Sequence, residues 1–160
     1  MDKPTVYIET TIVSYLTAWL SKDSLRQAQQ DLTKEWWKER APGYQLFTSQ
    51  FVIDESAAGD ATASQQRLEV LSDVQLVEIG DEVPPFADRL LADGALPRKA
   101  RVDALHVAVT AVTGIEYLLT WNCKHLANAH LWRKIEATCR AAGYQPPTIC
   151  TPYELMGERP

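Results

Sequence analysis

The chain has 160 residues, 46% of them hydrophobic, with 16 basic and 21 acidic side chains and a formal charge of −5. That is long enough to bury a core and short for two ordinary domains, so a single domain over 1–160 is expected, and the acidic balance weighs against strong nonspecific nucleic-acid binding. Three cysteines, Cys123, Cys139 and Cys150, form no CxxC pair and exclude a zinc cluster or a disulfide framework, while the want of a signal segment or of about 18 uncharged apolar residues in a row points to a soluble cytoplasmic protein with no membrane span.

Thr5-Val6-Tyr7-Ile8 is an apolar, β-rich run that predicts a first strand, and it ends at Glu9 followed by Thr10, Thr11 and a helical segment. Ser24 to Ala41 predicts a helix with Leu25, Ala28, Leu32 and Trp36 at apolar spacing, stopped by Pro42-Gly43. Gln45 to Thr48 reads as a second strand, and Ser49 is placed to cap a short helix through Ala58. A helix over Ala61 to Ser72, a third strand over Gln75 to Ile79 and a proline-opened helix from Asp81 to Gly94 follow. Charged Glu78 suits that third strand to a sheet edge. Ala100 to Val112 is an apolar helix with Leu105, Val109 and Val112 on one stripe, ahead of a strand over Tyr117 to Thr120. A helix over Ala129 to Ala142 and a strand over Pro147 to Cys150 complete the chain. Short strands alternating with helices imply an α/β fold with a mainly parallel five-stranded sheet and helices on both faces. No repeat, linker or low-complexity tract divides it.

The chemistry-bearing residues sit beside strand ends. In open α/β sheets the carboxyl ends of the strands line the ligand crevice, so Glu9 falls where sites are built, although a negative charge there also suits the first turn of the next helix. Of the neighbours Asp54 and Glu55 only one can point back to the strand ends, and helical spacing from Phe51 and Val52 selects Glu55, leaving Asp54 in solvent. Asp103 opens the apolar helix, where a carboxylate complements the helix dipole, and His106 lies one turn on, suited to orienting a neighbour or to a hydrogen-bonded place in the core. Thr120-Trp121-Asn122 with Lys124-His125 again sets polar groups directly after an apolar strand. From Leu96 to Arg140 the chain carries seven basic and three acidic residues, net +4, which leaves −9 elsewhere and offers a basic rim to a polyanion.

Taken together these segments resemble the PIN-domain ribonuclease family across almost the whole chain. Tyr7-Ile8-Glu9-Thr10-Thr11 is similar to its first acidic motif, Glu55 to its second acidic position and Val102-Asp103-Ala104-Leu105-His106-Val107-Ala108 to its third. Leu118-Leu119-Thr120-Trp121-Asn122 with Lys124-His125-Leu126 is similar to the fourth segment, and Thr148 to Met156 to the closing strand and turn. The chain departs from the family at two places, with Glu9 and Asn122 where aspartate is usual. The resemblance implies hydrolysis of RNA phosphodiester bonds with Mg²⁺ or Mn²⁺ held by Glu9, Glu55, Asp103 and Asn122, since three carboxylates and an amide suit a hard divalent ion. It further implies Thr10, Thr11 or Thr120 as supports for a carboxylate or a water, and Arg101, Lys124 and Trp121, with Thr120, as contacts to RNA. A role as the toxin of a type II toxin–antitoxin pair, with an antitoxin protein as partner and a homodimeric state, follows from the same resemblance. The alternative is a catalytically weakened domain that binds RNA or protein, which Glu9 and Asn122 keep open.

Overall fold

Short apolar runs become strands here because helices can bury both faces of the central ones, β-branched and aromatic side chains packing well on a pleated surface. The computed structural model describes residues 2–157; Met1 and residues 158–160 of the expected domain lie outside the described residues. The strands are β1 (Thr5–Ile8), β2 (Gln45–Thr48), β3 (Gln75–Leu76), β4 (Tyr117–Leu119) and β5 (Thr148–Cys150). They form one five-stranded sheet in the order β3-β2-β1-β4-β5, and every pairing is parallel. The α/β class and the sheet expected from the sequence are thus both found.

The connecting helices are α1 (Thr10–Thr17), α2 (Ser24–Glu39), α3 (Gln50–Ser56), α4 (Ala61–Leu71), α5 (Val83–Ala92), α6 (Arg101–Thr113) and α7 (Ala129–Ala141), with a single 3₁₀ turn at Ala41–Gly43. Right-handed crossovers toward β3 put α1 to α4 on one face, and crossovers in the other direction put α5 to α7 on the opposite face. The packing agrees: α1 lies against α2, α3 and α4, and α5 against α6 and α7. Strand order reverses between β1 and β4, so the chain leaves these two neighbours toward opposite sides and opens a crevice at their carboxyl ends. No described helix is long and apolar enough to cross a membrane.

The core is centred on β1 and β4, where Val6, Tyr7, Ile8, Leu118 and Leu119 are fully buried. Removing a side chain such as Leu118 to alanine costs about 2–5 kcal/mol. Three local expectations are corrected. The third strand is only two residues long, because its partner β2 ends at Thr48, whose carbonyl takes a last bond from the Val77 amide at 2.9 Å, and Glu78 beyond it is exposed. In α2 the buried positions are Gln30, Thr33 and Trp36, whereas Leu25 is 66% exposed. Polar residues can face inward there because they are satisfied: Gln30 Nε2 donates to the Trp19 carbonyl at 3.0 Å and its Oε1 accepts from the Ser21 amide at 2.8 Å. Helix α6 is wrapped on nearly all sides, with every residue from His106 to Ala111 buried, so a one-stripe reading understates its burial. Of the cysteines, Cys139 and Cys150 are buried free thiols and Cys123 is an exposed one.

Candidate metal centre at the carboxyl edge of the sheet

The register of β1 on β4 pairs Ile8 with Leu119, and the Glu9 amide donates to the Leu119 carbonyl at 3.2 Å. Glu9 and Thr120 therefore leave the sheet side by side at the crevice. Glu9 is also the N-cap of α1, its Oε2 accepting from the Thr11 amide at 3.1 Å, so the capping role and the crevice position coincide. Its Oε1 accepts from the Thr11 hydroxyl at 2.6 Å and the Thr120 hydroxyl at 2.5 Å. The carboxylate is 3% exposed and makes no ion pair among the described residues. Burial raises its pKa, and the pull of His106 and the hydroxyls of Thr11 and Thr120 only partly offset that.

Glu55 reaches the same place from α3, and ligand atoms of Glu9, Glu55 and His106 lie within 4.8 Å of one another. The Thr10 hydroxyl donates to Glu55 Oε1 at 2.7 Å, and His106 Nε2 bonds the same oxygen at 2.7 Å. Partial burial pushes the Glu55 pKa up, but the hydrogen bond and charge of His106, with Thr10, outweigh it and hold the carboxyl below its ordinary value. Asp54 points elsewhere, exposed and bonded to Gln50 at 2.8 Å.

Asp103, in the first turn of α6, comes to the same edge with a different set of partners. Its Oδ1 accepts from Asn122 Nδ2 at 3.1 Å, and its Oδ2 bonds His125 Nδ1 at 2.9 Å. Asn122 Oδ1 meanwhile accepts from the His125 amide at 3.0 Å, so both ends of this amide are engaged internally. The two halves of the edge are joined through Thr120, whose hydroxyl donates to Glu9 while accepting from the Asn122 amide at 2.9 Å.

The remaining sequence-derived candidates separate by position. Trp121 is half-buried, stacked on Tyr15 with ring centroids 6.0 Å apart, and its Nε1 donates to Thr33 at 2.7 Å. It also walls an apolar pocket of about 360 Å³ with Leu25, Leu32 and Tyr153, next to the crevice. The Arg101 guanidinium is paired with Asp88 of α5, and Lys124 is exposed. Two contributions were hidden from sequence reading. Ser49 holds the N-cap position of α3 without capping an amide, and its hydroxyl instead bonds the Tyr7 hydroxyl at 2.6 Å. His125, noted only as part of a motif, braces Asp103; the signal available was its place three residues after Asn122 in a turn.

The donor set fits a hard divalent ion. Glu9 and Glu55 converge with oxygens that retain acceptor capacity, and a buried carboxylate with no ion pair among the described residues is the kind of charge a metal would offset.

No protein-family model matches the chain, and no curated protein matches it in sequence. Among solved structures it is similar to VapBC2 from Rickettsia felis, solved bound to a DNA fragment from their promoter, at 15% identity over 92% of this chain and 98% of that one, with a TM-score of 0.60. It is also similar to VapC20 of Mycobacterium tuberculosis, a sarcin-ricin loop cleaving toxin, at 16% identity over 88% of this chain and 96% of that one, with a TM-score of 0.56. At such identities the likeness is one of fold, and the fold is the PIN-like architecture that the sequence motifs imply.

Proposed function

We propose that this chain is a divalent-metal-dependent ribonuclease that hydrolyses RNA phosphodiester bonds. The observation that carries the reading is the meeting of Glu9 and Glu55 at the β1/β4 switch point of a PIN-like sheet, with Glu9 buried and lacking any ion pair among the described residues. Glu9, Glu55 and Asp103 would hold Mg²⁺ or Mn²⁺, with the Asn122 amide as the fourth member. When bound, the ion supplies a water of lowered pKa and neutralises charge on the phosphodiester as it is displaced in line.

The protein's own residues define the rest. Thr11 and Thr120 fix Glu9 Oε1, and Thr10 and His106 fix Glu55 Oε1, so neither carboxylate has to be ordered on binding. Asn122 and His125 orient Asp103, and no side chain is needed as a covalent nucleophile. Lys124, exposed two residues after Asn122, would meet a phosphate, whereas Arg101 is already matched by Asp88. Trp121 offers its indole to a base near the crevice.

The same reading makes the chain a cytoplasmic toxin of a type II pair, dimeric and restrained by an antitoxin protein. Its support is the fold shared with VapC20 and with VapBC2. The second reading, a weakened domain that binds RNA or protein without cutting, is favoured by one observation: Asn122 spends both ends of its amide inside the protein and brings no charge. The test is purified protein with a panel of labelled single-stranded RNAs, in Mn²⁺ or Mg²⁺ against EDTA. Metal-dependent cleavage is expected; retention of RNA without cleavage at any metal concentration would sink the enzyme reading and leave the binding module.

A further inference from the structure

The histidine that fixes Glu55 is itself backed by a buried chain of polar groups behind the site. Ser49, Tyr7 and His106 come from the start of α3, the centre of β1 and the middle of α6, and all three are completely buried. Their side chains form a continuous line, with 2.6 Å from Ser49 Oγ to Tyr7 Oη, 2.7 Å from Tyr7 Oη to His106 Nδ1 and 2.7 Å from His106 Nε2 to Glu55 Oε1. Buried polar groups are expensive unless every member is satisfied, and a fully satisfied line of this kind fixes one arrangement of its neighbours. The line ends on a carboxylate.

A carboxylate only accepts, so Nε2 is the donor to Glu55. Both bonds to Glu55, from His106 and from Thr10, fall on Oε1, and no hydrogen bond among the described residues falls on Oε2. The imidazole has neither nitrogen to spare, since Nδ1 is met by Tyr7. A ring so committed and so deeply buried is suited to aim a ligand, not to be one. We propose that His106, backed by Tyr7 and Ser49, is a positioning residue that pins Oε1 of Glu55 and thereby presents Oε2 to the metal beside Glu9. The proposal rests on the metal reading of the site. It extends that reading by giving the ligand set a rigid support inside the core, formed by residues that never touch substrate.

The experiment is a Mn²⁺ titration of the whole chain, followed by the electron paramagnetic resonance signal of free Mn²⁺, with circular dichroism on each variant. His106→Phe keeps a buried ring and removes the donor, and should weaken Mn²⁺ binding about ten- to a hundredfold, the usual effect of losing an outer partner of a ligand. His106→Gln, whose amide can donate to Oε1, should recover most of the affinity. In a Glu55→Gln background His106→Phe should cause no further loss, because its effect runs through Glu55. Tyr7→Phe removes only the hydroxyl behind Nδ1 and should give a smaller loss of the same kind, which keeps the proposal testable if His106→Phe does not fold. Unchanged affinity in His106→Phe or in Tyr7→Phe overturns the proposal while the metal reading stands, as does an undiminished loss in the Glu55→Gln background. Wild type that binds no Mn²⁺ overturns the metal reading and this proposal with it.

Discussion

The two halves of the carboxyl edge hold their carboxylates by different means. Glu9 and Glu55 are gripped by threonine hydroxyls and by a histidine whose support runs back through the core, and each has one oxygen carrying two bonds. Asp103 is gripped by an amide and an imidazole that both belong to one surface turn after β4, one on each oxygen. The first half is rigid because it is built on strand ends and buried side chains; the second is only as rigid as its turn. A half supported from the core therefore adjoins one supported from a turn, and the amide of Asn122 belongs to the second.

The largest effect should come from removing a charge in either half. Asp103→Ala or Asp103→Asn should cut metal-dependent RNA cleavage by more than about a hundredfold, beyond the usual cost of an outer-shell partner. Folding should survive, at a cost of about 1 kcal/mol for the helix dipole and about 1–3 kcal/mol if Asn122 and His125 are left unsatisfied. Cleavage by Asp103→Ala equal to wild type, with folding checked by circular dichroism, would break the comparison at its root.

Within the rigid half the contrast is between neighbours. Glu55→Ala should reduce Mn²⁺ affinity at least tenfold, whereas Asp54→Ala should leave it within about twofold, because Asp54 is exposed and bonded only to Gln50. Calorimetric titration of the two variants measures this directly, and equal losses would reverse the choice of Glu55.

In the half supported from the turn, Asn122→Asp should preserve or raise metal-dependent cleavage by several-fold. The new carboxylate repels Asp103 in the metal-free protein and adds attraction for a dication. A fall in activity would mean that the bond from Asn122 Nδ2 to Asp103 matters more than charge. If only the variant cuts RNA and wild type does not, the native chain is the weakened module.

The smallest effect concerns pH. The buried Glu9 carboxyl has a raised pKa, so the metal-free native state holds its proton more tightly than the unfolded chain does. Stability from this group is full below the ordinary glutamate range and declines as pH rises toward the raised value. Glu55 has a lowered pKa and acts with the opposite sign, contributing above the ordinary range and losing its contribution as pH falls through the lowered value. Glu9→Gln should remove the decline, so denaturant midpoints of variant and wild type, measured without metal, should diverge in the variant's favour as pH rises through that window. Parallel curves would show that Glu9 is not held protonated by its surroundings.

Much of this edge was legible in the sequence because strand ends in an α/β fold are marked by short apolar runs, and Glu9, Glu55 and Thr120 each stand within a turn of one. The order of strands and the meeting of β1 with β4 were not, since nothing in Tyr7-Ile8 or Leu118-Leu119 names its neighbour. The face of α2 was misread for a physical reason: Leu25, Ala28 and Leu32 make the more apolar stripe, but Gln30 and Thr33 face inward because the α1–α2 connection and Trp121 supply their partners. Ser49 does hold the N-cap position read for it, but its hydroxyl bonds Tyr7, forty-two residues away, and not an amide of the helix.

The all-parallel order also bears on when the edge can be assembled during synthesis. With no hairpin in the sheet, every strand pairing closes a long loop, and the bond from Thr120 to Glu9 spans 111 residues. Glu9 is synthesised 111 residues before Thr120 and cannot meet that support until β4 has been made. At roughly 5–20 residues per second that interval is about 6–20 s. The edge is thus incomplete through that interval, and a partner that captures the chain then would meet it before the edge is assembled.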